Sequence, residues 1–340
     1  MKSLDAAVLG ATGLVGQKFV ELLSRHPSIR VRELVGSEKS RGRSFREFCK
    51  SPDGSVSPSI LDSRIKGLDE RLESEVIFSA LPADAANAVE WKLAEQGKTV
   101  ISKASANRMD PRVPLIIPEV NPEHLELLDA QRRSISGGLL CDPNCTTIIL
   151  ALSLKPLIDN FRIRRVFATS MQALSGAGYP GLSSLDALGN VIPFISGEEE
   201  KLADEPRKIF GTIAGGRLKE GDLKIFASCN RVPVAVGHMI SVYVELRDPV
   251  KIDSVIDAIE GFRGLSELPS APKKPVILRS EPDRPQPRID NDGMSVSVGR
   301  LRPGADSKSI AYSVLGDNLV RGAAGAGILD AELLAHRGYL

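Results

Sequence analysis

The stretch from Leu4 to Arg25 constrains the fold more than any other. Leu4 to Leu9 is an apolar run that reads as a strand, and it enters Gly10-Ala11-Thr12-Gly13-Leu14-Val15-Gly16 directly. Phe19, Val20, Leu22 and Leu23 then recur at helical spacing. Strand, glycine turn and helix form the context that a dinucleotide fingerprint requires. The spacing is Gly-x-x-Gly-x-x-Gly, a variant of the common Gly-x-Gly-x-x-Gly. Its glycines let backbone amides approach a pyrophosphate at the helix N-terminus, although a glycine motif alone is also an ordinary turn. Gly10, Thr12, Gly13, Leu14, Val15 and Gly16 are the candidate cofactor contacts.

Ile29 to Val35 reads as the second strand. An NAD site usually places an acid near its end to hold the ribose 2′-hydroxyl. This chain has Gly36-Ser37-Glu38-Lys39-Ser40-Arg41-Gly42-Arg43 instead. Ser37, Ser40, Lys39, Arg41 and Arg43 suit a 2′-phosphate and favour NADP. Glu38 dissents, and a solvated basic loop is the plain alternative. Short strands at Val76–Ser79 and Thr99–Ser102, with a helix of about Ala85 to Gln96 between them, predict a doubly wound parallel sheet. Leu115–Ile117 and Ser134–Ser136 are candidates for further strands. Trp91 reads as packing. Lys103 and Arg108 follow a strand end, where such sheets place ligands, or else they are simply solvated.

The chain has 340 residues, 26% of them charged, and a formal net charge of +1, which bounds the partners. The length suits two domains, and near-neutral charge gives no reason to expect nucleic acid or a membrane surface. No apolar run approaches the ~18 residues of a membrane span, and no signal-peptide pattern opens the chain. The cysteines Cys49, Cys141, Cys145 and Cys229 lack metal-ligand spacing and suit a reducing compartment, so no metal and a cytoplasmic location are expected.

At the seam of the chain lies Cys141-Asp142-Pro143-Asn144-Cys145-Thr146-Thr147, followed by the apolar run from Ile148 to Leu152. The run reads as a helix ending near Asp159, with Pro143 and Asn144 suited to its entry. Cys145 then lies in the first turn, where unpaired amides and the dipole are expected to lower a thiol pKa and favour attack. A buried structural cysteine is the alternative. Cys141 is either an inert core residue or a redox partner.

Downstream, Arg164–Gln172 reads as a strand that leads into the glycine-rich Leu174–Gly181. A helix begins at Gly197-Glu198-Glu199-Glu200-Lys201 and reaches about Ile209. Acids at such a start usually complement the dipole. Lys224–Ser228 is a strand, and Arg231 and His238 bracket an apolar stretch before an alternating strand to Leu246. Ile252–Phe262 is an amphipathic helix. Residues 264–293, rich in proline and charge, read as a surface excursion, and strands follow at Met294–Arg300 and Ser309–Leu315. This half predicts an α+β domain with a mixed, largely antiparallel sheet. The small-residue helix that closes the chain is expected to pack back on the first domain. The expected domains are therefore residues 1–140 with 318–340, and 141–317.

Gly10–Gly16, Leu81-Pro82, Asn107-Arg108, Pro143–Thr147, Gly176–Gly181, Glu198–Lys201, Arg231–His238 and Asp317–Ala324 span nearly the whole chain. Together, in this order, they resemble aspartate-β-semialdehyde dehydrogenase, in the branch typical of archaea and fungi. The resemblance implies that Cys145 is the nucleophile, that Gln172 orients substrate or thioester, and that His238 is the acid–base residue. It pairs Arg231 with the substrate carboxylate and Glu199 with the amino group, Glu199 being chosen by its spacing from Lys201. Arg108 and Lys201 would form a phosphate site lined by Asn144. Ser175, Gly176, Gly178 and Asn318 would lie near the nicotinamide, and the Ser37–Arg43 loop would take the 2′-phosphate of NADP.

The implied reaction is NADPH-dependent reduction of L-aspartyl-4-phosphate to the semialdehyde through a cysteine thioester, in biosynthesis of lysine, threonine, methionine and isoleucine. An imidazolium near the oxyanion is the expected proton donor. A homodimer or homotetramer is implied. Malonyl-CoA reductase resembles the same branch, but its substrate has no amino group to meet an acid. N-acetyl-γ-glutamyl-phosphate reductase typically has its cysteine in a Gly-Cys-Tyr context, which Asn144-Cys145-Thr146 does not match. A non-catalytic NADP-binding sensor would have no need of Cys145, Gln172, Arg231 and His238 together.

Overall fold

The computed structural model describes residues 3–50 and 54–340. The first half contains β1 Leu4–Leu9, α1 Leu14–Leu23, β2 Ile29–Val35, α2 Pro58–Leu61, β3 Val76–Ser79, α3 Ala83–Glu95, β4 Thr99–Ser102, α4 Glu126–Arg132 and β5 Gly138–Cys141. The strands form a parallel sheet in the order β2-β1-β3-β4-β5. β3, β4 and β5 are buried at every position, the pattern of a sheet covered on both faces. The strand order reverses between β1 and β3, so the ligand crevice lies beyond their carboxyl ends. Gly10 sits there with φ +71°, and a Cβ on it would lie 2.6 Å from the Ala80 carbonyl oxygen.

The last strand of this sheet is Gly138–Cys141, not Ser134–Ser136. Ser134 and Ile135 instead close the turn after α4 through amides donated to the Gln131 carbonyl. Leu139 and Leu140 supply the buried side chains that the sheet needs. Leu115 forms only an isolated bridge, to Cys141.

The second half contains α5 Cys145–Asn160, β6 Ile163–Gln172, α6 Ser184–Ala187, α7 Glu198–Ile209, β7 Thr212–Ala214, β8 Arg217–Lys219, β9 Ile225–Arg231, β10 His238–Leu246, α8 Ile252–Gly261, β11 Val276–Leu278, β12 Val296–Pro303, β13 Ser309–Gly316 and α9 Gly325–His336. Six strands form a mixed sheet in the order β11-β12-β13-β10-β6-β9. Its three central pairings are antiparallel, and the two outermost are parallel. Three strands escape the sequence pattern for local reasons. β11 is three residues long inside a proline-rich excursion, and the β7–β8 hairpin turns on Gly215-Gly216, both with positive φ.

α5 joins the halves. Ile148, Ile149, Leu150, Ala151, Leu152, Leu154 and Leu157 share one apolar cluster with Leu115 and Leu139 near the first sheet and with Val166, Ile240 and Val296 of the second. A helix enclosed on all sides is apolar on all sides. Along β10 the side chains alternate, with Ile240, Val242 and Val244 inward and Ser241 and Tyr243 outward. The outward side carries Phe167, Phe226 and Tyr243 in one cross-strand row, and Phe226 is 70% exposed.

After β13 the chain returns to the first half. Leu319 leads into a π-helical turn, Val320–Ala324, in which Gly322 N–H donates to the Asp317 carbonyl at 2.8 Å. Arg321 is wholly buried and makes two hydrogen bonds to Glu119, at 2.9 and 2.6 Å. Ile328, Leu329, Leu333 and Leu334 of α9 pack in one cluster with Val8, Phe19 and Val20.

Candidate active site

Cys145 opens α5, and its helix end is shaped by Asn144. The Asn144 side-chain oxygen accepts from the amides of Thr146 at 2.9 Å and Thr147 at 3.3 Å. Those amides are therefore already used by the cap. Burial, and then the negative charge of Glu198, push the Cys145 thiol up to about 11, against the Thr146 hydroxyl and the cations Arg108 and Lys103. This corrects the lowered value expected from a bare helix N-terminus. Cys141 lies in the core, and burial pushes its thiol up further still. The Cα of Gly322, from the π-helical turn, packs against Cys145: a Cβ on it would lie 2.6 Å from that of Cys145.

α7 presents Glu198, Lys201, Glu205 and Lys208 at intervals of three, four and three, one face of a helix. Glu198 accepts from Asn144 Nδ2 at 2.9 and 3.0 Å, from Gln172 Nε2 at 3.1 Å and from Lys201 Nζ at 2.8 Å. Glu205 accepts from Arg108 at 2.9 Å and from the Asn144 amide at 2.7 Å. Lys208 Nζ donates to the carbonyls of Arg108 and Asp110, both at 2.6 Å.

The acid beside Asn144, Gln172 and Lys201 is therefore Glu198, not Glu199. Glu199 is exposed and accepts instead from the Cys229 amide at 3.0 Å. One residue is about 100° of helix, so neighbouring acids face different ways. Glu205 was missed by the sequence reading, although its i+7 spacing from Glu198 marks it as sharing that face.

His238 begins β10 and is fully buried. Burial, with the charge of Arg231, pushes its imidazole down to about 3, so the ring is neutral. Its Nδ1 accepts from the Ala173 amide at 3.1 Å, which fixes the proton on Nε2. Among the described residues Nε2 has no hydrogen-bond partner. The ring is thus a neutral imidazole, not the imidazolium expected. A Cβ on Gly176 would lie 2.5 Å from an Arg231 terminal nitrogen and 3.1 Å from His238 Nε2, so this loop must be bare where it crosses both. Arg231 donates to the Ala173 carbonyl at 2.7 Å.

Ser175 and Asn318 bond to each other at 2.9 and 3.2 Å, and Asn318 also accepts from the Gly237 amide at 2.9 Å. The segments bearing Gly176, His238 and Gly322 are thereby held together. Gly178 follows at φ +67°.

The cofactor candidates lie at the β1 carboxyl end. Among the described residues no side chain caps α1 at Gly13, which leaves the amides of Leu14 and Val15 unclaimed by a cap. A Cβ on Gly16 would lie 2.1 Å from the Gly10 carbonyl oxygen, so the turn closes only around glycine. The Thr12 carbonyl accepts from Gln17 Nε2 at 2.8 Å. These features fit a pyrophosphate cradle. Ser37, Ser40 and Arg41 follow β2. Ser40 Oγ donates to the Ser37 carbonyl, and Arg41 pairs with Asp69 at 3.0 Å, Glu70 at 3.1 Å and Glu38 at 3.4 Å. Among the described residues no group of three or more His, Cys, Asp or Glu side chains is placed to hold a metal ion, and no helix is long and apolar enough to cross a membrane.

Fold and site define a class before any relative is considered: a dinucleotide-type sheet joined through a cysteine-bearing helix to a one-sided mixed sheet. Residues 5–128 match the family model for the semialdehyde dehydrogenase NAD binding domain, and residues 154–321 match that for the semialdehyde dehydrogenase dimerisation domain. An aspartate-semialdehyde dehydrogenase of Archaeoglobus fulgidus is 48% identical over 97% of both chains. A malonyl CoA reductase (NADP) of Metallosphaera sedula is 38% identical over 100% of this chain and 99% of its own. The crystal structure of a Candida albicans aspartate semialdehyde dehydrogenase with NADP superposes with a TM-score of 0.92 at 35% identity, covering 99% of this chain and 100% of that one. The chain belongs to the aspartate-semialdehyde dehydrogenase family.

Proposed function

We propose that this protein reduces L-aspartyl-4-phosphate to L-aspartate-4-semialdehyde, reversibly and with NADPH, in the cytoplasm, on the route to lysine, threonine, methionine and isoleucine. The observation that carries this reading is the buried Glu198 among Asn144, Gln172 and Lys201. A carboxylate in that place suits a substrate ammonium, which aspartyl phosphate has and malonyl-CoA lacks.

Cys145 is the nucleophile and forms the thioester as phosphate leaves. Arg231 takes the substrate carboxylate by its planar fork, and Arg108 and Lys201 take the phosphate. In the free protein these last two pair with Glu205 and Glu198. A substrate ammonium at Glu198 cancels the charge that raises the thiol, so binding itself favours the thiolate. His238 Nε2–H donates to the oxyanion, with its tautomer fixed by the Ala173 amide. Gln172, held by Glu198, orients the acyl group.

NADP, when bound, exchanges hydride with the acyl carbon. Gly10 to Gly16 would hold its pyrophosphate, Ser37, Ser40 and Arg41 its 2′-phosphate, and Ser175, Gly176, Gly178 and Asn318 its nicotinamide end. The domains divide as 1–140 with 318–340 and 141–317. Subunits pair as a homodimer, or as a homotetramer of such dimers, through the outer face of the mixed sheet. The exposed Phe226 supports this.

The test is phosphate-dependent oxidation of L-aspartate-β-semialdehyde with NADP, run beside reduction of malonyl-CoA with NADPH. Turnover of the semialdehyde alone, lost by about a thousandfold or more in Cys145→Ser, is expected. Turnover of malonyl-CoA alone overturns the substrate assignment. Unchanged turnover in the serine variant overturns the nucleophile.

A further inference from the structure

Beneath the site lies a second group of ionisable side chains that the chemistry above does not use. Lys103 follows β4, Asp142 follows β5, and Asp330 projects from α9. Lys103 Nζ lies 3.4 Å from Asp142 Oδ1, with the lysine side chain 8% exposed and the aspartate not at all. Asp330 is 1% exposed, and its carboxyl faces that of Asp142. Among the described residues none of the four carboxyl oxygens of Asp142 and Asp330, nor Lys103 Nζ, has a hydrogen-bond partner. A Cβ on Gly327 would lie 3.2 Å from Asp142 Oδ2, so α9 approaches the pair through a bare glycine.

Two buried carboxyls in contact cannot both ionise, so they share one proton and carry one negative charge. Burial, and for Asp330 also its neighbour's charge, hold both above the usual carboxylate range. The single charge left matches one ammonium. Burial pushes the Lys103 amine down, and the charge of Arg108 adds to this, against the charges of Asp142 and Asp330 that hold the proton on it; Arg321, locked to Glu119, adds its field at Asp330. Asp142 is three residues from Cys145, and Lys103 is the second cation, after Arg108, whose charge reaches the Cys145 thiol against burial and Glu198.

We propose that Lys103 is a positioning residue for Cys145: the proton-sharing Asp142–Asp330 pair keeps its ammonium as a buried cation near the nucleophile, where it favours the thiolate. This rests on Cys145 being the nucleophile. It adds to Arg108 a second cation opposing the burial and the Glu198 charge that raise the thiol.

The test is the pH dependence of Cys145 alkylation by iodoacetamide in the full-length protein, with modification at Cys145 quantified by peptide mass spectrometry. Lys103→Met is expected to slow alkylation about tenfold at about pH 8 by raising the midpoint about one unit, with the high-pH plateau unchanged. Lys103→Arg keeps the wild-type midpoint. Asp330→Asn, which leaves Asp142 as the one counter-charge, stays within about twofold. Lys103→Gln gives the same reading as Lys103→Met if the latter fails to fold.

A merely structural lysine predicts lower melting temperatures with superimposable alkylation profiles, and that result overturns the proposal. Failure of wild-type Cys145 to react at all, even at high pH, overturns the nucleophile assignment instead, so the two failures are distinguishable.

Discussion

At the scale of single residues, Glu198 and Cys145 hold each other in check. Burial first, and then the carboxylate's charge, hold the thiol protonated, so the sign of removing the carboxylate is fixed. Glu198→Gln takes away a negative charge beside a group whose ionised form is anionic, and the thiol pKa falls from its raised value of about 11. Iodoacetamide should then react about three- to tenfold faster near neutral pH. Turnover of the semialdehyde should fall mainly through KM, because the ammonium loses its partner. An unchanged alkylation rate would mean that burial alone sets the raised thiol pKa. The residue types of this site were legible in the sequence, since Cys145, Gln172 and His238 are of scarce types and, like Arg231, sit at strand or helix ends. What was not legible was facing. Three adjacent acids differ only in their angle about α7, and that angle is set by where the helix starts, at Gly197 with φ +70°. The thiol pKa was misjudged for a related reason: the same Asn144 that makes a good helix start also occupies the amides that would have lowered it.

At the scale of elements, the first sheet was largely readable because its strands are continuous apolar runs. Its last strand was misplaced because Ser134–Ser136 and Leu139–Cys141 are separated by a single glycine pair, and only burial decides between them. The π-helical turn could not be foreseen, because an i→i+5 hydrogen bond has no sequence period of its own. That turn has a function in packing: it brings the backbone of Gly322 against Cys145. Gly322→Ala would put a methyl group 2.6 Å from the Cys145 Cβ, with only backbone and core around it. We expect a loss of about a hundredfold or more in kcat, from displacement of the nucleophile by a fraction of an ångström to an ångström, with far-ultraviolet circular dichroism retained. Wild-type kcat in that variant would show that α5 can shift without penalty.

At the scale of the whole molecule, the mixed sheet is covered by α5 and α8 on one face. On the other it presents Phe167, Phe226 and Tyr243, with ring centroids 6.3 and 6.2 Å apart. Phe226→Asp places a charge in the middle of that row. Sedimentation velocity should show a smaller species at concentrations where the unmodified protein self-associates, and an unchanged profile would move the interface elsewhere. The return of the chain after β13 has a different kind of consequence, one of timing. The core around β1 and α1 is completed by Ile328, Leu329, Leu333 and Leu334, which follow both sheets in the chain. A ribosome that has released both sheets has still not supplied the helix that closes the first of them, nor the Asp330 and Gly322 that finish the surroundings of the thiol. Cys145 is therefore synthesised well before Gly322 and Asp330, and its surroundings are completed only when that later helix packs back on the first sheet.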